Sequence, residues 1–433
     1  MHYLKKMAED WHRNRIYGIM SACTAGSLCI EAAMLSSKRN NLPVLIEATS
    51  NQVNQFGGYT GMRPADYFSF VLDIAKKVAL PEDRVILGGD HLGPQPFKTE
   101  PEASAMSKAE VLVYEYAAAG FTKIHIDTSM YLGDDDRALR LSDQVIADRA
   151  ALLAKAANEG FQKLKSYSPD AEMPVFVIGS EVPTPGGSRE VSGEFSITKP
   201  EDLDAAIIAF KSAFQANGLD AIWDNVVGVV VQPGVEFSDT GLFLYDQEKA
   251  KQLTNGIQKY EHIIFEGHST DYQTPQCLKN MVHDGICILK VGPGLTFYQR
   301  EAVFALAAIE KELLGKTRND LSNYPDVLEA VMLDKPENWK GYYSGNSEDQ
   351  YLKRKYSYSD RSRYYLPNRE VINAFNKLMT NLTNIDIPIT VLSQYMPIQA
   401  YKVRTGEIAK DPRSLIISRI TDLIDEYVFA TRQ

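Results

Sequence analysis

Eight short apolar runs, rich in β-branched residues and each ending in a small or polar residue, recur along this 433-residue chain. They lie at 16–21, 43–47, 84–90, 122–127, 174–181, 226–232, 262–266 and 286–291. Runs this short and nearly unbroken are expected of parallel strands buried on both faces. Segments with helical spacing lie between them, at 65–78, 103–119, 145–159, 200–216, 250–260 and 275–284. The runs recur on average about every 39 residues, and one strand–helix unit of a (β/α)8 barrel needs about 30. The pattern therefore predicts an α/β chain folded as a TIM barrel, with loop insertions. A doubly wound open sheet is the alternative, but no GxGxxG follows the first run. Beyond residue 315 the composition shifts to Tyr, Asp, Lys, Arg and Ser, and helical patterns return at 370–382, 388–401 and 414–429. The expected organisation is a barrel with its active-site rim over 1–315 and a mostly helical C-terminal region, 316–433, packed on it.

Composition narrows the function classes. A net charge of −10 argues against a broad nucleic-acid or anionic-membrane surface and leaves room for a local basic pocket. Four cysteines with no CxxC suggest free thiols in a reducing compartment. No apolar run reaches the roughly 18 residues of a membrane span, and the N-terminus, MHYLKKMAEDWHRNR, lacks an apolar signal core. The reading is a soluble cytoplasmic protein without a nucleic-acid or membrane partner.

Barrel active sites lie at the C-terminal ends of the strands. The runs end there in Glu47, Asp90 with His91, Asp127, Glu181, Gln232, Glu266 with His268, and Lys290. Carboxylates converging on one rim repel one another, and a divalent cation held by imidazole nitrogen and carboxylate or amide oxygen would relieve that repulsion and polarise a substrate oxygen. The other reading is that they cap the following helices or pair with Lys and Arg. DHLGP (90–94) sets two ionisable groups on a rigid turn. His125 alternates with Asp127 on one strand face and reads as a buried structural histidine. EGHSTD (266–271) and VGPGLTF (291–297) offer hydroxyls, an acid and a glycine-bearing turn in the usual phosphate quarter of a barrel. The loops 52–62 and 181–188 are Gly-containing candidates for lids. Arg361 and Arg363 carry positive charge to a Tyr-rich segment. The expected substrate-binding set is Glu47, Gln52, Ser129, Ser269, Thr270, Asp271, Lys290, Gly292, Arg361 and Arg363.

IEATSNQVNQFGGYTGM, ILGGDHLGP, GFTKIHIDTSM, GSEVPTPGG, FEGHSTDYQT, SYSDRSRYY and LSQYMPIQ resemble the Z-type, so-called non-catalytic, subunit family of tagatose-1,6-bisphosphate aldolase, over essentially the whole chain. The resemblance implies a TIM barrel distantly related to the zinc-dependent class II aldolases. It implies either a partner, the catalytic class II aldolase subunit, or independent action as a metal-dependent tagatose/fructose 4-epimerase. Asp90 and His91 match the aldolases' catalytic acid/base and a zinc ligand. Asp127 and Glu181 match two further strand-end acids, and Glu181 precedes Gly186 and Gly187 as in those enzymes. Gln232 and Glu266 stand where two zinc histidines are expected, with His268 two residues on, and Gly292 replaces a substrate-binding Asn. Carried over, Asp90, Glu181 and Asp127 are the catalytic candidates and His91, Gln232, Glu266 and His268 the metal candidates. The implied cofactor is a divalent ion, zinc first, with manganese, nickel or magnesium as alternatives, and no nucleotide. The implied ligand is a ketohexose or its phosphate, and self-assembly is compatible with the same surface.

Overall fold

The computed structural model describes residues 1–182, 196–317 and 320–432. Its strands are β1 (Ile19–Cys23), β2 (Val44–Thr49), β3 (Val85–Leu92), β4 (Lys123–Ile126), β5 (Val175–Ile178), β6 (Val226–Val231), β7 (Glu236–Phe237), β8 (Leu242–Phe243), β9 (Ile264–Gly267) and β10 (Ile286–Val291). All but β7 and β8 close into a parallel barrel in the order β1-β10-β9-β6-β5-β4-β3-β2. The remaining two form a small antiparallel hairpin after β6. Each expected run holds one barrel strand. The first strand starts three residues later than its apolar run because 16–18 lead into it.

The expected helices are present, with Pro64–Lys77, Glu102–Ala119, Asp143–Lys165, Pro200–Ala216, Gln247–Gly256 and Pro275–His283 between the strands. Sequence periodicity did not single out Ser27–Asn40 or Pro293–Leu314. Both are buried widely round their circumference, which blurs a single apolar stripe.

Two terminal helices decide which end of the barrel is open. Tyr3–His12 packs against the turns that lead into β6, β9 and β10: Lys5 Nζ donates to Asp224 O, Trp11 Nε1 to His283 O, and His12 Nε2 lies 2.9 Å from Ile263 O. The N-terminal ends of those strands are thus covered. The last helix, Pro412–Thr431, packs against Ser27–Asn40, Pro275–His283 and Pro293–Leu314 in the outer ring. Gly18 N donates to Thr431 O beside β1, and Tyr427 Oη donates to Thr270 O at 3.0 Å. Among the described residues no helix is long and apolar enough to cross a membrane.

The barrel interior is not wholly apolar. On β4, Lys123 and His125 point inward while Ile124 and Ile126 face the helices, the ordinary two-residue alternation of a strand. Gly88 on β3 makes room for them. A Cβ there would lie 2.8 Å from Glu47 Cγ and 3.1 Å from Lys123 Cδ.

Candidate active site

Strand register brings the charged residues together. Glu47 pairs with Cys23 on β1 and Gly88 on β3, Thr49 pairs with Asp90, and Glu266 pairs with Val230 and Ile288. Inside the barrel Lys123 Nζ lies 2.7 and 2.9 Å from the two Glu47 oxygens and 2.6 Å from Glu266 Oε2. Lys290 Nζ lies 2.6 Å from Glu47 Oε2, 2.8 Å from Asp90 Oδ1 and 3.7 Å from Glu266 Oε1. Glu47, Glu266 and Lys123 are fully buried. The acids expected to need a metal are therefore partly offset by two lysines, and the pairing alternative applies to Glu47.

The histidines form the layer above. His125 Nδ1 is 2.9 Å from Asp90 Oδ1 and within 3.2 Å of the His91 amide. His91 Nδ1 is 2.8 Å from Asp127 Oδ2, and His268 Nε2 is 3.0 Å from Glu266 Oε1. The three imidazole rings lie 4.8 to 5.2 Å apart, centroid to centroid. His91, Ser269 and Tyr272 adopt φ of +47°, +53° and +63°. Such backbone costs about 1–3 kcal/mol per residue and clusters at functional sites.

Charge states follow from partners as much as from burial. Desolvation alone would push the Asp90 carboxyl up, but His91, Lys290, His125 and His268 hold it well below the usual carboxylate range. The same contest at Glu266 is won by Lys123 and Lys290. Asp127, desolvated but bonded to His91 and Ser129, falls to about 2. His268 is brought down to about 3 by burial and by the neighbouring His91, so it is a neutral imidazole. Two other buried acids go the opposite way. Burial pushes Asp271 up to about 6 and Glu236 to about 7.

Asp90, His125, Glu266 and His268 each offer a ligand atom, and these four atoms lie within 4.8 Å of one another. Two nitrogens and two carboxylate oxygens suit a divalent ion of borderline hardness. Buried His125 Nε2 has no hydrogen-bond partner among the described residues. The donor set fits a metal.

A cleft opens over this layer, lined by Gln52, Asp90, His91, His268, Ser269, Asp271, Lys290, Gly292 and Arg363, all expected from the sequence. Cys23, Thr49, Asn51, Tyr59, Phe237, Val291, Pro293 and Tyr364 complete it. The 52–62 loop reaches the cleft through Tyr59, whose ring stands 4.8 Å from that of Tyr364 in the Tyr-rich segment.

Other expected residues lie elsewhere. Gln232 turns into its own loop, where Oε1 accepts from Gly234 N and Val235 N, and is outside the four-atom group. His91 is also outside that group, its Nδ1 engaged by Asp127. Glu181 pairs with Arg140 at 3.3 Å and accepts from Thr198 Oγ1 at 2.6 Å, on the β5–β6 side of the rim. Gly186 and Gly187 lie outside the described residues. Ser129 serves Asp127 with a 2.7 Å hydrogen bond. Thr270 donates to Lys290 O behind the cleft wall. Arg361 stacks on Tyr342 and donates to Asn338 O, away from the cleft.

Sequence reasoning passed over Lys123 and Glu236, and it read His125 as structural. Lys123 was readable in retrospect, since it shares strand parity with His125 and Asp127.

Comparison with known proteins shows the family. The model of the D-tagatose-1,6-bisphosphate aldolase subunit GatZ/KbaZ-like family matches residues 4–432. A solved structure described as a probable tagatose 6 phosphate kinase from Sinorhizobium meliloti 1021 is 42% identical, with a TM-score of 0.86 over 96% of this chain and 100% of that one. A fructose-bisphosphate aldolase from Campylobacter jejuni is 16% identical, with a TM-score of 0.44 over 86% and 90% of the two chains. With a family match of that extent and a near-complete relative at this identity, the chain belongs to the D-tagatose-1,6-bisphosphate aldolase subunit GatZ/KbaZ-like family.

Proposed function

We propose that the chain is a metal-dependent ketohexose 4-epimerase acting on tagatose and fructose, free or phosphorylated. The observation that carries this reading is the convergence of Asp90, His125, Glu266 and His268 at and just beneath the floor of a cleft that Asp90 and His268 line. The hydrogen on C4 of a 2-ketose is β to the carbonyl, so its removal gives no enolate. Cleavage of C3–C4 avoids the difficulty. When bound, a divalent ion supplies Lewis acidity toward the ketose oxygens.

The chain's own groups do the rest. With His125, Glu266 and His268 left to hold the ion, Asp90, held ionised at the cleft floor, takes the proton from the C4 hydroxyl as the C3–C4 electron pair moves toward the C2 carbonyl and C4 becomes an aldehyde. Lys290, 2.8 Å from Asp90, places positive charge beside the developing oxyanion. Rotation of the aldehyde and re-addition on its other face inverts C4, and Asp90 returns the proton. Asp127 orients His91. Glu181, across the rim, is a weaker candidate for proton transfer in this arrangement because Arg140 and Thr198 already engage it.

A second reading has its own observation. Lys123 and Lys290 already offset much of the acidic layer, so the barrel can stand without a metal, as a stabilising partner of a class II aldolase subunit would. The purified chain, assayed with fructose, tagatose and their phosphates in the presence of Zn²⁺, Mn²⁺, Ni²⁺ or Mg²⁺, separates the two. Turnover that a chelator abolishes and added metal restores supports the epimerase. Inactivity alone, with stabilisation of a separate class II aldolase on mixing, supports the partner.

A further inference from the structure

The turn after β10 enters the helix Pro293–Leu314 through Gly292. The first N–H groups of a helix lack partners within it and lie at its positive end, so such a turn at a barrel rim is a natural seat for a phosphate. Here an anion already sits there, and it belongs to the protein. Asp271 Oδ1 accepts from Gly292 N at 3.0 Å and from Gly294 N at 2.7 Å. The Asp271 side chain is buried, yet it forms part of the cleft wall beside His268 and Lys290. Gly294 leaves the space it needs, since a Cβ there would come within 3.0 Å of Oδ1. The left-handed backbone of Ser269 and Tyr272 on either side, and the anchoring of Thr270 to Lys290 O, set the aspartate in this position.

We propose that Asp271 is a specificity residue that takes the place of a substrate phosphate, so that the cleft admits a ketohexose with a free C1 hydroxyl and refuses one phosphorylated at C1. This rests on the sugar reading above and adds one placement to it: the C2 end of the ketose lies toward His268, on the same loop as Asp271, so that C1 is the end that Asp271 meets. A carboxylate accepts a hydrogen bond from a hydroxyl and repels a phosphate. The charge of the cleft agrees. Each phosphate monoester carries about −1.5 to −2 at neutral pH. The lysine and arginine side chains lining the cleft among the described residues are Lys290 and Arg363; Lys290 is engaged by Glu47 and Asp90, and the His91 ring by Asp127. A monophosphate at the far end of the sugar is compatible with this balance, whereas a 1,6-bisphosphate is not.

The test uses the full chain and inorganic phosphate, read by calorimetric titration and by thermal unfolding. Asp271→Ala frees both amides and should gain phosphate binding, with unfolding shifted up by a few degrees once phosphate exceeds its Kd about 100-fold. Wild type and Asp271→Asn, whose amide oxygen still occupies the two N–H groups, should show no such gain. Asp271→Ser repeats the measurement if the alanine variant does not fold. A folded alanine or serine variant that responds to phosphate no more than wild type overturns the proposal. With sugars, wild type should prefer fructose 6-phosphate over fructose 1-phosphate and the 1,6-bisphosphate by roughly tenfold or more, and Asp271→Ala should narrow that ratio. Equal use of all three by wild type also overturns it. Absence of any sugar binding defeats the epimerase reading instead, and the phosphate result still decides the role of Asp271.

Discussion

The inside of the barrel and the rim between β6 and β10 treat buried carboxylates in opposite ways. In the interior, Glu47, Asp90 and Glu266 lie within about 3 Å of Lys123 or Lys290, and Asp90 and Glu266 are held ionised despite deep burial. At the rim, Asp271 and Glu236 accept from backbone N–H groups, with Arg363 only a minor influence on Asp271, and burial pushes both upward, to about 6 and about 7. Desolvation is the largest influence in all four cases, so it does not separate them. The separating variable is whether a full positive charge sits opposite. One region thus keeps a permanently charged layer at the cleft floor, and the other holds acids that change state near neutrality.

The largest expected effect lies in the charged layer. Asp90→Asn removes the proposed proton acceptor while keeping its shape, and turnover should fall by about 10²- to 10⁴-fold. Steady-state kinetics on the folded variant check this, and unchanged turnover takes Asp90 out of the mechanism. Next, Lys123→Met leaves Glu47 and Glu266 facing each other with less compensation, and breaking a buried pair in this way costs about 3–5 kcal/mol. Denaturant unfolding measures it. A loss under about 1 kcal/mol would mean that Lys123 is not what steadies the interior.

The smallest effect tests the rim. Glu236 binds its proton more tightly in the folded chain, at about 7, than the ordinary value of 4.5. Its contribution is therefore fully present below pH 4.5 and is lost as pH rises through 7, by up to about 3 kcal/mol. Glu236→Gln should match wild type near pH 4.5 and exceed it in stability at pH 8. Parallel stability–pH curves for the two proteins would refute the contrast between rim and interior.

Much of this architecture was readable along the chain. The eight strands announced themselves as β-branched runs because a strand buried on both faces admits little else. Asp90, His268, Ser269, Asp271, Lys290 and Gly292 were identifiable as residues that would line the cleft because they lie at or just beyond strand ends, which a barrel gathers on one rim. The helix Ser27–Asn40 was not evident because it is buried around much of its surface. Gln232 and Asp90 look alike as polar strand ends, but the backbone of its own loop captures Gln232. The four-atom group includes His125, which by itself looks like any core histidine.

Local pattern was sufficient to specify the barrel and the strand ends that line its cleft, because side-chain alternation and strand-end position are properties of neighbouring residues. It could not specify charge state. Lys290 reaches a glutamate 243 positions away, and Asp271 finds its partners 21 and 23 positions on. Whether a buried acid meets an ammonium or an amide is decided only when the barrel closes, since Coulomb energy depends on a separation in space that chain order does not encode.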